Sequence, residues 1–215
     1  MMKRSLSLAA VAALIGSSVA GPAAAAGPPA QAWEIGPFIR GENYSKGMPV
    51  RPQPSEDGPS FMIPGPTARD GHVHYVTVTA RPLSGAKRIT LRYRIDAARG
   101  TRFVPQESPD LRATLSLYFQ RAGDGWTRKY PDWRWYAPEN RMVPLKPGTH
   151  TVSIGLDEDW ISMMGPSAKA NRAGFARALQ DTARVGFVFG SSGGRGHGVF
   201  ATQPARFTIL DFRIE

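Results

Sequence analysis

Five stretches of this chain alternate apolar and polar side chains with a period of two, and that pattern rules out most folds. In residues 88–96, Ile89, Leu91, Tyr93 and Ile95 share one face, opposite Thr90, Arg92, Arg94 and Asp96. In 112–120, Ala113, Leu115, Leu117 and Phe119 oppose Thr114, Ser116, Tyr118 and Gln120, an outer face that is polar but uncharged. Residues 72–80 set Val76, Val78 and Ala80 against Tyr75, Thr77 and Thr79. Residues 149–156 turn Val152, Ile154 and Leu156 inward, and 206–214 alternate Leu210, Phe212 and Ile214 with Asp211 and Arg213. Successive side chains of a strand point to opposite faces, so each stretch predicts a half-buried strand. Residues 184–189 are apolar on both faces, as in a central strand.

The turns between these segments carry Gly or Pro where the chain reverses, at 82–85, 122–125 and 146–148. One helix is expected over 168–182, capped by Ser167, with Phe175, Leu179 and Thr182 on one stripe. Many strands with one short helix predict an all-β fold, a β-sandwich of jelly-roll type. From Trp33 to the end the composition stays globular, so 33–215 is read as a single β-sandwich domain.

The start of the chain is different. Lys3 and Arg4 precede an uncharged run rich in Leu, Ala and Val, which ends in small residues at Ser18-Val19-Ala20 and Ala24-Ala25-Ala26. This is the pattern of a secretory signal peptide, assigned to 1–26, with cleavage expected after Ala26. The apolar run is too short, and too interrupted by Gly and Ser, for a membrane anchor. Residues 27–32 are expected to form a flexible lead-in. The address is then periplasmic or secreted, with no membrane span after signal cleavage.

The chain has no cysteine, which excludes disulfides, thiol catalysis and cysteine metal sites. Its formal charge is +10; loss of Lys3 and Arg4 removes two of 27 basic residues and leaves +8 against 17 acids. The positive charge is mostly Arg, scattered without a run, and export argues against nucleic acid as a partner. An anionic polysaccharide or an anionic envelope surface suits it.

Several runs, in this order, resemble the jelly-roll carbohydrate-binding modules and the broader galactose-binding-like sandwiches. They are LSLYFQ (115–120), GDGW (123–126), WRWY (133–136), PGT (147–149), VSIGL (152–156) with Trp160 beyond, VGFVFG (185–190) and FTILDFRI (207–214). The resemblance covers roughly residues 33–215 as a pattern and is one of fold. It implies non-catalytic glycan binding, often with a structural calcium between the first and last strands. Asp211 would then be a ligand, with Glu34 or Glu42 as partner. A solvent-facing Asp211 paired with an Arg is the simpler alternative.

The densest cluster of chemistry is 126–136, where Trp126, Tyr130, Trp133, Trp135 and Tyr136 interleave with Arg128, Lys129, Asp132 and Arg134. Sugar rings present flat C–H faces that lie on aromatic rings, and their hydroxyls need polar side chains alongside. Read as a strand, 133–136 sends Trp133 and Trp135 to one face and Arg134 and Tyr136 to the other. One of those faces must belong to the core. The candidate ligand-binding residues are Trp126, Tyr130, Trp133, Arg134, Trp135 and Tyr136. Arg195 and His197, from the Gly-rich run SSGGRGHG (191–198), join them as a rim; the alternative for that run is a plain hairpin loop.

Other features point to no chemistry of their own. Asp157, Glu158 and Asp159 are adjacent and cannot straddle a glycosidic bond, so a turn or cap is expected. His72 and His74 share a strand face but have no third metal ligand nearby. No GxSxG elbow is present. A jelly-roll polysaccharide lyase or glycoside hydrolase is the enzyme alternative. An envelope adaptor using the aromatic patch on a protein partner is the other.

Overall fold

A computed structural model of the chain describes residues 27–66 and 73–215. The expected signal peptide and His72 lie outside the described residues. In chain order the first strands are β1 (Trp33–Gly36), β2 (Phe38–Ile39), β3 (Glu42–Asn43), β4 (Ser60–Ile63) and β5 (His74–Thr79). Then come β6 (Arg88–Ala97), β7 (Phe103–Pro105), β8 (Thr114–Arg121), β9 (Arg134–Tyr136) and β10 (Val143–Pro144). The last are β11 (Gly148–Gly155), β12 (Ile161–Ser162), β13 (Thr182–Gly190), β14 (Val199–Ala201) and β15 (Ala205–Ile214). One α-helix, α1 (Arg172–Gln180), precedes β13.

Two antiparallel sheets face each other. The larger runs β1-β5-β13-β8-β9-β12, with β10 on the edge of β8, and the smaller runs β11-β6-β15-β4. The longer strands β4, β5, β6 and β8 fall alternately in the smaller and the larger sheet, as do β11, β13 and β15 further on. The all-β sandwich is thus as the alternation predicts.

The core lies where the alternation put it. Ile89, Leu91, Tyr93 and Ile95 of β6, and Leu115, Leu117 and Phe119 of β8, are fully enclosed. Phe207 bridges the sheets, 4.8 Å from Tyr93 and 5.1 Å from both Phe61 and Phe187 between ring centres. Each such fully buried ring or branched side chain contributes about 1.5–3 kcal/mol by leaving water.

Three expectations shift in detail. In β15 a register break between Ile209 and Asp211 resets the alternation, so Ile209 and Phe212 enter the core while Leu210 is half-buried and Ile214 exposed. A β-bulge of this kind places two residues opposite one, which a strict period of two cannot foresee. The helix is shorter than expected: Asn171 caps it through Oδ1, which accepts from Gly174 N at 3.0 Å, and Thr182 already belongs to β13. Finally, 27–32 is not a flexible lead-in. Residues Ala30–Ala32 form a 3-10 turn with Ala30 buried, and Trp33 Nε1 donates to Pro28 O at 3.2 Å. Among the described residues no helix is long and apolar enough to cross a membrane.

Candidate functional site

The outer face of the larger sheet is where polar chemistry gathers. Cross-strand register places Glu34, Thr77, Gly186, Tyr118 and Tyr136 in one row across five strands. The next row holds Thr79, Arg184, Gln120 and Arg134. These side chains bond laterally. Arg184 Nη2 lies 2.7 Å from Glu34 Oε1, and its Nε donates to Thr77 Oγ1 at 3.0 Å. The Tyr118 hydroxyl donates to Gln120 Oε1 at 3.1 Å, and the hydroxyls of Tyr75 and Tyr136 are 2.7 Å apart.

Tyr75, Tyr118, Tyr136 and Val188 form a small second core on this outer face. Burial raises the pKa of all three phenols, so they remain neutral hydrogen-bonding groups. The cover over them is the loop 122–130. Its Trp126 ring meets the Tyr75 ring edge-on, 4.9 Å between centres at 80°. Asp124 holds the loop down: its Oδ1 accepts from Trp126 N at 2.8 Å, and its Oδ2 is 2.7 Å from Arg134 Nε in an almost wholly buried ion pair. Arg134 also donates to Thr127 O and carries its guanidinium 5.2 Å from the Trp126 ring centre. Trp126 itself has φ 62, a left-handed conformation a large side chain adopts only when its surroundings hold it there.

Trp126 stands between two open cavities of about 300 and 290 Å3 that also share Pro37 and Tyr75. The first is floored by Glu34, Thr77, Gln120 and Arg184 and edged by Phe38. The second continues toward a third cavity of about 400 Å3, with which it shares Tyr136, Met163 and His197. Together they make a long groove over the sheet. Phe38 and Met164, at 37% and 55% exposure, put large apolar side chains on its rim.

The residues singled out in the sequence divide into four groups. Trp126 is central to the groove, and Arg195 and His197 line its far end. Arg134 and Tyr136 touch the groove but are buried beneath it, so they support it. Trp135 is a correction: it has no exposed surface, stands edge-on to Phe175 at 4.9 Å, and donates its Nε1 to Asp132 O at 2.7 Å. It belongs to the main core and cannot meet a ligand.

Trp133 is a second correction, since it ends a 3-10 turn (Pro131–Trp133) instead of sharing a strand face with Trp135. Its ring is stacked on Tyr130 at 4.2 Å and 10°, and the Arg121 guanidinium lies 5.0 Å from its centre. Tyr130 and Arg121 thus already occupy the Trp133 ring, while the outer ring, Tyr130, is 39% exposed.

Sequence reasoning missed Tyr75, Thr77, Gln120, Arg184 and Glu34 as groove residues. For Tyr75, Thr77 and Gln120 a signal was present, in two strands whose outer faces are polar yet uncharged; Glu34 and Arg184 lie on other strands and carried none.

The remaining features settle into structural roles. Glu158 Oε1 accepts from Gly155 N, and Asp159 Oδ1 accepts from Lys169 N, both at 2.9 Å, so the acidic run closes turns. That backbone hydrogen bond from Lys169 lowers the Asp159 pKa. His74 is buried with Nδ1 accepting from Val199 N at 3.1 Å. The carboxylates considered for calcium each pair with a basic residue: Asp211 with Arg213, Glu34 with Arg184 and Glu42 with Lys46. Among the described residues no three His, Asp or Glu side chains come together as a metal site.

Fold and groove together define a β-sandwich with an elongated, mixed aromatic and polar groove across one sheet. No protein-family model matches the chain, and no curated protein matches it. Among solved structures it is similar to the xylan-binding module CBM15, at 16% identity and a TM-score of 0.38, over 84% of this chain and 92% of that one.

Proposed function

We propose that this protein is an exported, non-catalytic polysaccharide-binding protein whose ligand lies along the groove on the outer face of the larger sheet. The observation that carries this reading is the run of three adjoining cavities, with Trp126 between the first two. Their walls alternate an indole and apolar rim residues with hydroxyl, amide and guanidinium groups. A groove open along its length accommodates a chain, whereas a small metabolite calls for an enclosed pocket. Rings supply the faces on which sugars lie, and Thr77, Gln120 and Arg184 supply partners for their hydroxyls.

Two carboxylates line the groove beside Trp126, and neither is free for acid–base work. Glu34 is paired with Arg184 and Asp124 with Arg134. A glycosidase needs two carboxyl groups placed across the scissile bond with different proton affinities. That favours binding without cleavage over the hydrolase reading. The leader-like first 26 residues support export.

Affinity electrophoresis through gels containing neutral and acidic polysaccharides tests the reading, with the same polymers assayed afterwards for new reducing or unsaturated ends. Retardation of the wild-type protein by at least one polymer, loss of that retardation in Trp126→Ala and no new chain ends is the expected result. New chain ends would establish an enzyme instead. Retardation by none of the polymers would overturn the polysaccharide reading.

A further inference from the structure

Three of the arginines along the groove are neutralised by a neighbouring carboxylate. Arg134 pairs with Asp124, Arg184 with Glu34 and Arg121 with Asp181. His197, at the far end, contacts Glu107 at 2.5 Å. Arg128, in the wall of the second cavity, has no such pair among the described residues either but is exposed to water. Arg195 is different from all of these. It is half-buried in the wall of the 400 Å3 cavity, its Nη1 donates to the Ala137 carbonyl at 3.2 Å, and among the described residues no carboxylate lies within ion-pair distance of it. Glu139 lines the same cavity but is exposed and too far away to form that pair.

We infer that the groove selects an acidic polysaccharide and that Arg195 receives a uronic-acid carboxylate of the chain. The inference rests on the polysaccharide-binding reading and adds a ligand class to it. A guanidinium presents five N–H donors in a planar fork that matches a carboxylate edge. Among the described residues only one hydrogen bond, to a neutral carbonyl, engages that fork. Burial lowers the Arg195 pKa by more than the neighbouring Glu139 carboxylate raises it, because a charge taken out of water is destabilised. An incoming carboxylate relieves that cost, whereas a neutral hydroxyl relieves little of it.

The loop around Arg195 is pinned in place. A Cβ on Gly196 would fall 2.5 Å from the Tyr75 phenol, one on Gly194 would fall 2.9 Å from the His197 ring, and one on Gly190 would fall 2.1 Å from Gly194 O. His74 N also donates to Gly196 O at 2.9 Å. Backbone fixed this closely on both sides of Arg195 holds its Cα at one place in the wall. Less order then has to be created when the ligand arrives.

Calorimetric titration of the full chain tests the inference. Glucuronoxylan, polygalacturonate and alginate are each compared with their carboxyl-reduced forms, in which the acid becomes a primary alcohol on the same backbone. Neutral xylan, mixed-linkage β-glucan and dextran sulfate complete the panel. The expected result is binding of at least one uronate polymer and a loss of about tenfold or more on carboxyl reduction, the size of one charge-assisted contact. Arg195→Gln should bring the ratio of acid to reduced affinity down toward one. Arg195→Lys, which keeps the charge and lacks the fork, should leave the ratio intermediate and provides the readout if the Gln variant unfolds. Glu139→Gln should raise affinity for the acid form.

Equal affinity for acid and reduced polymers would overturn the uronate inference and leave the groove reading intact. Dextran sulfate binding as tightly as the best uronate would show unselective charge attraction and overturn it as well. No binding by any polymer, neutral ones included, would remove the groove reading itself.

Discussion

Arg134 and Asp124 form an ion pair with 2.7 Å between Nε and Oδ2, their side chains only 7% and 3% exposed, under the ring of Trp126. One partner comes from a strand of the larger sheet and the other from the loop that covers it. The pair is therefore the joint by which the sheet fixes the position of the aromatic residue at the centre of the groove.

Breaking that joint from the sheet side should be costly. Arg134→Met keeps much of the side-chain volume and leaves Asp124 buried without its counter-charge, a change that typically costs about 3–5 kcal/mol. Urea unfolding should show that loss, and Trp126 should become more accessible to a fluorescence quencher in the folded variant. An unchanged midpoint with unchanged quenching would mean that the loop is held by something else.

Protonation should act on the same joint with a definite sign. Burial raises the Asp124 pKa above its ordinary 3.8, more than the lowering from Arg134 and the Trp126 N–H offsets. The folded state then holds this proton more tightly than the unfolded one. The resulting contribution is complete below pH 3.8 and is lost as pH rises through the folded pKa. The difference in unfolding free energy between wild type and Asp124→Asn should therefore move against the wild type over the window that opens near pH 3.8 and extends upward through the raised folded pKa. A difference that moved in its favour over that window would mean that the ion pair outweighs desolvation.

The tryptophans of 126–136 should separate cleanly by phenotype. Trp135→Ala removes a fully enclosed indole and should cost about 3–5 kcal/mol, lowering polysaccharide binding only as far as it unfolds the protein. Trp126→Ala leaves the main core untouched, and its expected signature is lost binding in a folded protein. The two readouts, thermal unfolding and affinity electrophoresis, should rank the variants in opposite orders.

That division marks what was legible before any coordinates. Periodicity located β6, β8, β11 and β13 because each has a face that must leave water, and β8 and β13 pair along nearly their whole length. It also showed that part of the 126–136 cluster had to be core. It could not assign Trp133 and Trp135, because Pro131 opens a 3-10 turn that rotates Trp133 out of the strand's alternation. Nor could it assemble the groove floor. Glu34, Thr77, Gln120 and Arg184 come from four strands far apart in the chain, and only their cross-strand register makes them neighbours. The outward alternation of Tyr75, Thr77 and Thr79 was visible, but an outer face normally meets water, and nothing local indicated that Trp126 would fold back over it.

The last prediction concerns how the Gly-rich loop is held against the groove. Gly196 has φ +81, and an added Cβ would fall within 2.6 Å of three atoms of the Tyr75 phenol. Tyr75 has little room to yield: its ring touches Trp126 and Tyr118, each at 4.9 Å between centres, and its hydroxyl is bonded to Tyr136. Gly100 provides the control, with φ +87 and nothing within 4 Å of a built Cβ. Gly100→Ala should therefore cost only the backbone strain, on the order of 1 kcal/mol. Gly196→Ala carries the same strain plus a clash against a fixed ring, and should cost roughly 1–3 kcal/mol more, within the range for overpacking a filled site. Displacement of the neighbouring Arg195 should also lower the affinity for an acidic polymer. If urea midpoints fell equally in the two variants, Tyr75 would not be the wall against which the loop is set.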